Sequence, residues 1–326
     1  MPGRALTIRA GNGVEVLGHR EEFHFDAEVI EPSGTFCISH VHSDHLPKRV
    51  VGSQVVCSDL TLKCIKGRTK HKLEIGHHDG VVMHNAGHMA GSRMFEVEVD
   101  GRKVLYTGDL CPRDRFGQPG ARPVKTDVLV IESTFGKPGY VFPPTEEMGA
   151  IMHDWVEDTL SQGRSAAMFA YPFGKSQDLL RMLSDLDPLV DQSVFNASSL
   201  IRCEEDPLNF QLYTEERAQD PFVIVCTSWF RKSSQADCWR RDGMRTAAVS
   251  GWAMDRGYRY QMKVDEAFPF SDHADFEELL AFTKACEPSL VLTHHGFDES
   301  LAHEIRGRLG IEARPLKKGQ RSLAEF

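Results

Sequence analysis

The stretch His40-Val-His42-Ser-Asp44-His45 decides how this chain is read: three imidazoles and a carboxylate within six residues. It follows a strand-like run, Thr35-Phe-Cys-Ile-Ser39. In an extended segment alternate side chains share a face, so His40 and His42 can point at one ion. A turn at Ser43 would deliver Asp44 and His45 to a second ion beside the first. Burying such a cluster without a common partner is costly. Imidazole with carboxylate suits zinc, manganese or iron.

Outward from that stretch, further ligand-type residues appear at strand ends. His88 sits in Ala86-Gly-His-Met-Ala-Gly-Ser92, where glycines on both sides allow a loop to approach an ion. Asp109 sits in Tyr106-Thr-Gly-Asp-Leu110, after a strand, where a carboxylate can bridge two metals. His294-His295 follow the strand Ser289-Leu-Val-Leu-Thr293. From the residues alone, the reading is a two-metal hydrolase of unknown substrate. His24, His71, His77, His78 and His84 are read as ordinary surface or core histidines, and Ser92, Ser133 and Thr134 as turn formers or ligand-orienting residues.

Composition is that of a globular chain, with 41% hydrophobic and 26% charged residues among 326. No run reaches the length of a membrane span, and Met1 to Ala10 lacks a signal-type apolar stretch, so a cytoplasmic location without membrane contact is expected. The net charge, 38 − 47 = −9, is not that of a general nucleic-acid binder. Local basic stretches exist nonetheless, at Lys63 to Lys72, Arg231-Lys232 and Arg240-Arg241 with Arg245. Eight cysteines without a CxxC pair argue against a zinc knuckle. Cys57 and Cys64 are read as buried thiols.

Two textures divide the chain. Strands and tight turns dominate the first part: Leu6 to Arg9 and Val14 to Leu17 flank Gly11-Asn12-Gly13, and Met94 to Val99 and Lys103 to Tyr106 flank Asp100-Gly101. Further strands are expected at Gln54 to Cys57, Gly80 to Met83 and Val128 to Ile131. From about Pro143 helices and strands alternate. Thr145 is expected to cap a helix reaching about Gln162; a strand Ser165 to Ala170, a helix Ser176 to Leu186 and a strand Pro221 to Cys226 follow. The tail reads as a helix from Ala274 to Cys286, the strand ending at Thr293, a helix from Glu299 to Leu309 and a strand near Ala313.

With the order HxHxDH, a GH-containing loop, a TGD turn and a late strand-end histidine, the chain resembles the metallo-β-lactamase superfamily. Within it, the chain is similar to the β-CASP nucleases, particularly prokaryotic members associated with mRNA 3′-end processing or with DNA ligase. Ile131-Glu-Ser-Thr-Phe-Gly136 matches the family's acidic motif. Phe270-Ser-Asp-His-Ala-Asp275 and Thr293-His-His-Gly296 match its histidine motifs, and Phe173-Gly-Lys-Ser-Gln-Asp-Leu-Leu180 resembles the helix entry of its inserted domain.

The resemblance implies an α/β fold: a metallo-β-lactamase αββα sandwich from 1–137 and 265–326, with an inserted α/β β-CASP cap domain at 138–264. No RNA-binding module is expected beside these two. It implies two divalent ions, zinc first, with manganese or iron as alternatives. His40, His42 and His88 would hold one, Asp44, His45 and His295 the other, and Asp109 would bridge. His295 is preferred to His294 because the family's histidine immediately precedes the glycine. Glu132 and His273 would pair beside the metals and, with Asp44, form the catalytic set.

The implied activity is a phosphodiesterase acting as a nuclease, an exonuclease by likeness, on single-stranded RNA or DNA. A hydroxide shared by the metals would attack phosphorus, and His273, supported by Glu132, would protonate the leaving oxygen. Lys175, Arg231, Lys232 and Arg240 are the candidates for nucleic-acid contact, and a homodimer is expected from relatives. Two alternatives stand beside this reading. A hydrolase of small esters, thioesters or cyclic nucleotides explains the ligands but neither Glu132, His273 nor the insertion. A catalytically silent scaffold is opposed by the complete ligand set.

Overall fold

A computed structural model describes residues 6–218 and 221–317. The outer ends of the expected first domain, 1–5 and 318–326, lie outside the described residues. The chain divides into two compact units: Met1–Arg113 with Pro119–Val141 and His273–Phe326, and Asp114–Gln118 with Phe142–Asp272.

In the first unit a four-stranded sheet runs Thr7–Gly11, Gly13–Leu17, Glu22–Phe25, Thr35–Cys37 in spatial order. Its opening hairpin turns at Asn12, with Gly11 opposite Gly13, as the sequence pattern requires. A six-stranded sheet has the spatial order Glu312–Pro315, Leu290–Gly296, Val128–Ser133, Arg102–Tyr106, Arg93–Val99, Val81–Asn85. Pairing is parallel from Arg102–Tyr106 to Glu312–Pro315 and antiparallel over the remainder.

The two faces of this sheet follow from the two-residue period of a strand. Val104, Tyr106, Val128, Val130, Leu290 and Leu292 join one apolar cluster with Val14, Val16, Phe23 and Phe25 of the smaller sheet. Their alternates Leu105, Leu129, Ile131 and Val291 join another. That second cluster takes in Phe276, Leu279, Leu280 and Phe282 of the helix Phe276–Cys286, with Leu301 and Ala302 of the helix Asp298–Glu304. Strands buried on both faces read as continuous apolar runs, as Val128-Leu-Val-Ile131 does. Sheet against sheet on one side and helices on the other is an α/β arrangement, which leaves the strand ends free to carry polar groups.

Every pairing of the second unit's sheet is parallel, in the order Gln211–Leu212, Leu189–Val190, Val223–Thr227, Ala166–Ala170, Arg245–Val249, Glu266–Phe268. The main segment of this unit spans Phe142–Asp272, where the sequence reading expects 138–264, and it runs past 264 because Glu266–Phe268 pairs with Arg245–Val249. Thr145 is the first residue of its helix rather than the cap: Pro144 holds the cap position without a side-chain bond. Among the described residues no helix is long and apolar enough to cross a membrane.

Candidate metal centre

Beyond Cys37 the chain leaves its strand and tightens into a turn closed by His45 N–H donating to the His42 carbonyl, 3.1 Å. The turn splits the opening motif. His40 and His42 fall together with His88 and Asp109, while Asp44 and His45 fall together with His295. In each group one ligand atom per residue lies within 4.8 Å of the others. Asp109 lies beside both groups, its Oδ2 being 3.4 Å from His40 Nε2 and 3.4 Å from His45 Nε2.

The two groups differ in exposure. His40, His42, His88 and Asp109 are all buried, whereas Asp44 and His295 keep 56% and 35% of their side-chain surface. His295 reaches Asp44 Oδ2 through Nε2 at 3.4 Å. A break in sheet register delivers it there: Glu132 pairs with His294, but Ser133 pairs with Gly296, so His295 is the extra residue of a bulge. His295 takes φ 61° and Gly296 φ 131°, and a Cβ at Gly296 would stand 2.3 Å from the Ser133 carbonyl oxygen. His294 lies outside both groups, its ring against Tyr106 with centroids 5.6 Å apart. Burial, aided by His295 and His45, pushes His294 down to about 3.

The His88 loop uses its glycine differently from the expectation. At Gly87 a Cβ would meet the Cys111 carbonyl oxygen at 2.2 Å and the Ala121 nitrogen at 2.5 Å. The glycine admits neighbouring backbone, and that contact sets the loop carrying His88. Three other histidines make their contacts elsewhere: His24 bonds Glu22 and stacks on Phe36, His71 bonds the Pro47 carbonyl, and His84 bonds Glu96.

Sequence reasoning missed Asp26. Its buried carboxylate accepts from Ser39 N–H (2.7 Å), Ser39 Oγ (2.6 Å), His45 Nδ1 (2.7 Å) and Tyr106 Oη (2.8 Å). Ser39 Oγ in turn lies 2.9 Å from His40 Nδ1. With both Nδ1 atoms occupied on this outer side, His40 and His45 present Nε2 inward. The available signal was a carboxylate directly after the strand Glu22–Phe25, the same placement that singled out Asp109.

These donors fit a cation. His40 Nε2, His45 Nε2 and Asp109 Oδ1 are buried without a hydrogen-bond partner, a costly arrangement unless something at the centre accepts their lone pairs. Burial, with His45 and His42 nearby, holds His40 well below its usual value, so its lone pair is available. Burial opposes charge on Asp109, yet the imidazoles of His45, His273 and His40 outweigh it and keep the carboxyl well below the usual range. His45 is likewise resisted by burial but raised by Asp109 and Asp26. The centre therefore draws positive charge.

Glu132, fully buried, accepts from Leu110 N–H at 2.6 Å and Thr134 N–H at 3.3 Å. Both its oxygens lie 3.1 Å from His273 Nδ1. The His273 ring sits 4.4 Å from that of His88, centroid to centroid. Its backbone is pinned by Arg113 donating to the His273 carbonyl at 2.7 Å. A reciprocal cap between Asp275 and Glu278 starts the following helix.

The four cationic candidates all lie in the second unit. Lys175 is ion-paired with the buried Asp272, so its charge already has a partner in the protein. Arg231, Lys232 and Arg240 share one corner, where the Arg240 guanidinium donates to the Arg231 carbonyl and pairs with Asp237. The structure does not bring Lys175 into that corner group's hydrogen bonds.

No family model matches the chain. A protein of Opitutus terrae named probable DNA ligase is 35% identical over 293 residues, covering 85% of this chain and 28% of that one. Cleavage and polyadenylation specificity factor 73 of Drosophila melanogaster is 31% identical over 266 residues, covering 65% and 39%. An RNase J-like protein of Methanocaldococcus jannaschii is 31% identical over 123 residues, covering 36% and 29%. The chain thus spans well under half the length of these relatives. A solved structure of a protein of unknown function from Enterococcus faecalis V583 shares the fold, with TM-score 0.63 at 12% identity over 98% of this chain and 100% of that one. Relatives with these names, together with a buried histidine–aspartate cluster at the strand ends of an α/β fold, place the chain in the β-CASP family of the metallo-β-lactamase superfamily.

Proposed function

We propose that the chain is a two-metal phosphodiesterase that degrades single-stranded nucleic acid, acting as an exonuclease. One observation carries the reading beyond a generic hydrolase: the Glu132–His273 pair set against the metal-ligand cluster at His88. His40, His42 and His88 would hold one divalent ion, zinc first, and Asp44, His45 and His295 a second, with Asp109 between them. Ions bound there would supply a nucleophilic water near neutral pH and neutralise charge on the phosphate.

The chain's own residues do the remainder. Glu132 is oriented by two backbone N–H groups and accepts from His273 Nδ1, which leaves Nε2 to hand a proton to the departing oxygen. Asp26 fixes the inward face of His45 directly and of His40 through Ser39. A small-ester hydrolase has no comparable need for a proton donor beside its metals. On this reading the second unit is the family's inserted domain and helps to bind the strand. That the relative matched over most of the chain carries the name probable DNA ligase supports DNA as the first substrate to test.

The test is degradation of matched RNA and DNA single strands, labelled at one end or the other, with zinc, manganese or iron supplied. Stepwise release of nucleotides from one end is expected. Protein loaded with metal that hydrolyses small esters while leaving every strand intact would overturn the proposal.

A further inference from the structure

In open parallel sheets, ligands bind outside the C-terminal strand ends, where successive connections leave in opposite directions. The second unit has such a point. From Ala166–Ala170 the chain crosses to Leu189–Val190 on one side; from Val223–Thr227 it crosses to Arg245–Val249 on the other. Ala166–Ala170 and Val223–Thr227 are themselves neighbours. Tyr171 follows the first of these strand ends and Trp229 the second.

Trp229 is 54% exposed although it belongs to an ordered turn. Its ring stands at 88° to that of Tyr171, with centroids 6.4 Å apart. The next residue, Phe230, points the other way and packs on Trp239, centroids 5.3 Å apart. Asp191 Oδ2 accepts from Thr227 N–H (2.8 Å) and Oγ1 (2.7 Å), and Lys232 N–H donates to the Trp229 carbonyl (3.1 Å). The backbone on either side of the indole is thus tied by hydrogen bonds.

Cations accompany it. Arg231 and Lys232 lie in the same turn, and Arg231 Nε is buried without a hydrogen-bond partner. On the far side of Ala166–Ala170, the strand Arg245–Val249 ends just before Trp252, which is 39% exposed. Three adjacent strands therefore end in an aromatic ring. Neighbouring strands lie about 5 Å apart, a spacing over which an extended strand can lay successive bases.

A single exposed tryptophan needs no explanation. Two of them on either side of Tyr171, with cations, at the end of a parallel sheet where ligands bind, do. We infer that Trp229, backed by Tyr171, is a stacking platform for an unpaired base, with Arg231 and Lys232 on the phosphate and Trp252 as a second stacking position. Aromatic faces beside cations hold single strands irrespective of sequence, whereas in a duplex the base faces are already stacked. The inference takes nucleic acid as ligand from the function proposed above and adds how a single strand is chosen.

The test uses the full chain stripped of metal with a chelator, so binding is read without cleavage. Fluorescence anisotropy with a mixed-sequence DNA single strand should show Trp229→Ala weakening binding by about tenfold or more. Trp229→Phe should stay within about threefold of the parent, since a phenyl ring still stacks. Quenching of a 2-aminopurine placed in the strand should report stacking on the unaltered protein, which covers an alanine variant that fails to fold.

Equal affinity of Trp229→Ala and parent, absence of quenching, or equal Trp229-dependent binding of duplex would overturn the inference. The two proposals fail separately. Strand cleavage without any dependence on Trp229 removes the platform alone, and Trp229-dependent binding without cleavage under any metal removes the nuclease alone.

Discussion

The two halves of the candidate metal centre use the same kinds of side chain in different surroundings. His40, His42 and His88 are buried with Asp109, whereas Asp44 and His295 reach the centre from half-exposed positions. Desolvation strengthens electrostatic interactions, so the buried half is built to retain a cation. In the open half, Asp44 is held low chiefly by its hydrogen bond to His295, and His295 is raised chiefly by Asp44. That mutual support is exchangeable with solvent. On the proposed function, a centre with one retentive and one accessible half would separate holding a cation from admitting a substrate, and the accessible half would be the one to receive the phosphate.

The largest expected effect comes from removing what the halves share. Asp109→Asn should lower nuclease turnover by about a thousandfold or more, since several kcal/mol of charge stabilisation are lost, and should empty both halves by elemental analysis. Retention of two equivalents of metal would show that Asp109 does not bridge. Next, if His273 is the proton donor and not a ligand, as proposed, His273→Ala should lower turnover by about a hundredfold or more while keeping the metal. Normal turnover there would remove His273 from the chemistry.

The smallest effect sharpens the contrast between halves. Asp26→Asn weakens the outer bonds to His45 and, through Ser39, to His40, and should weaken metal binding by about 10- to 100-fold. His45 is bonded to Asp26 directly, so in a chelator titration the open half should empty first. Equal loss from both halves would place Asp26 in general folding instead.

Much of this candidate centre was legible because the residues it brings together are local. His40, His42, Asp44 and His45 share one turn, and His88, Asp109 and His295 each follow or adjoin a strand whose apolar run is evident. The expected hairpins at Gly11-Asn12-Gly13 and Asp100-Gly101 also formed, since two glycine-containing turns between alternating runs leave little freedom. Asp26 was not legible, because its work depends on Ser39, His45 and Tyr106 converging from up to 80 residues away. Lys175 looked like a free cation until Asp272, distant in sequence, was brought beside it. The strands Arg245–Val249 and Glu266–Phe268 were missed for a similar reason: short and poor in large apolar residues, they are held by their neighbours in the sheet.

By itself the sequence determined which residue types could hold metal and which strands would be buried on both faces, since both depend on spacing along the chain. The resemblance already preferred His295 to His294, but only the tertiary structure showed how His295 comes to join Asp44 and His45. That placement turns on a single extra residue in the pairing of Leu290–Gly296 with Val128–Ser133, and register between strands that far apart in sequence has no local signature. The same holds for Trp229, whose surroundings arise from where three separate strands end.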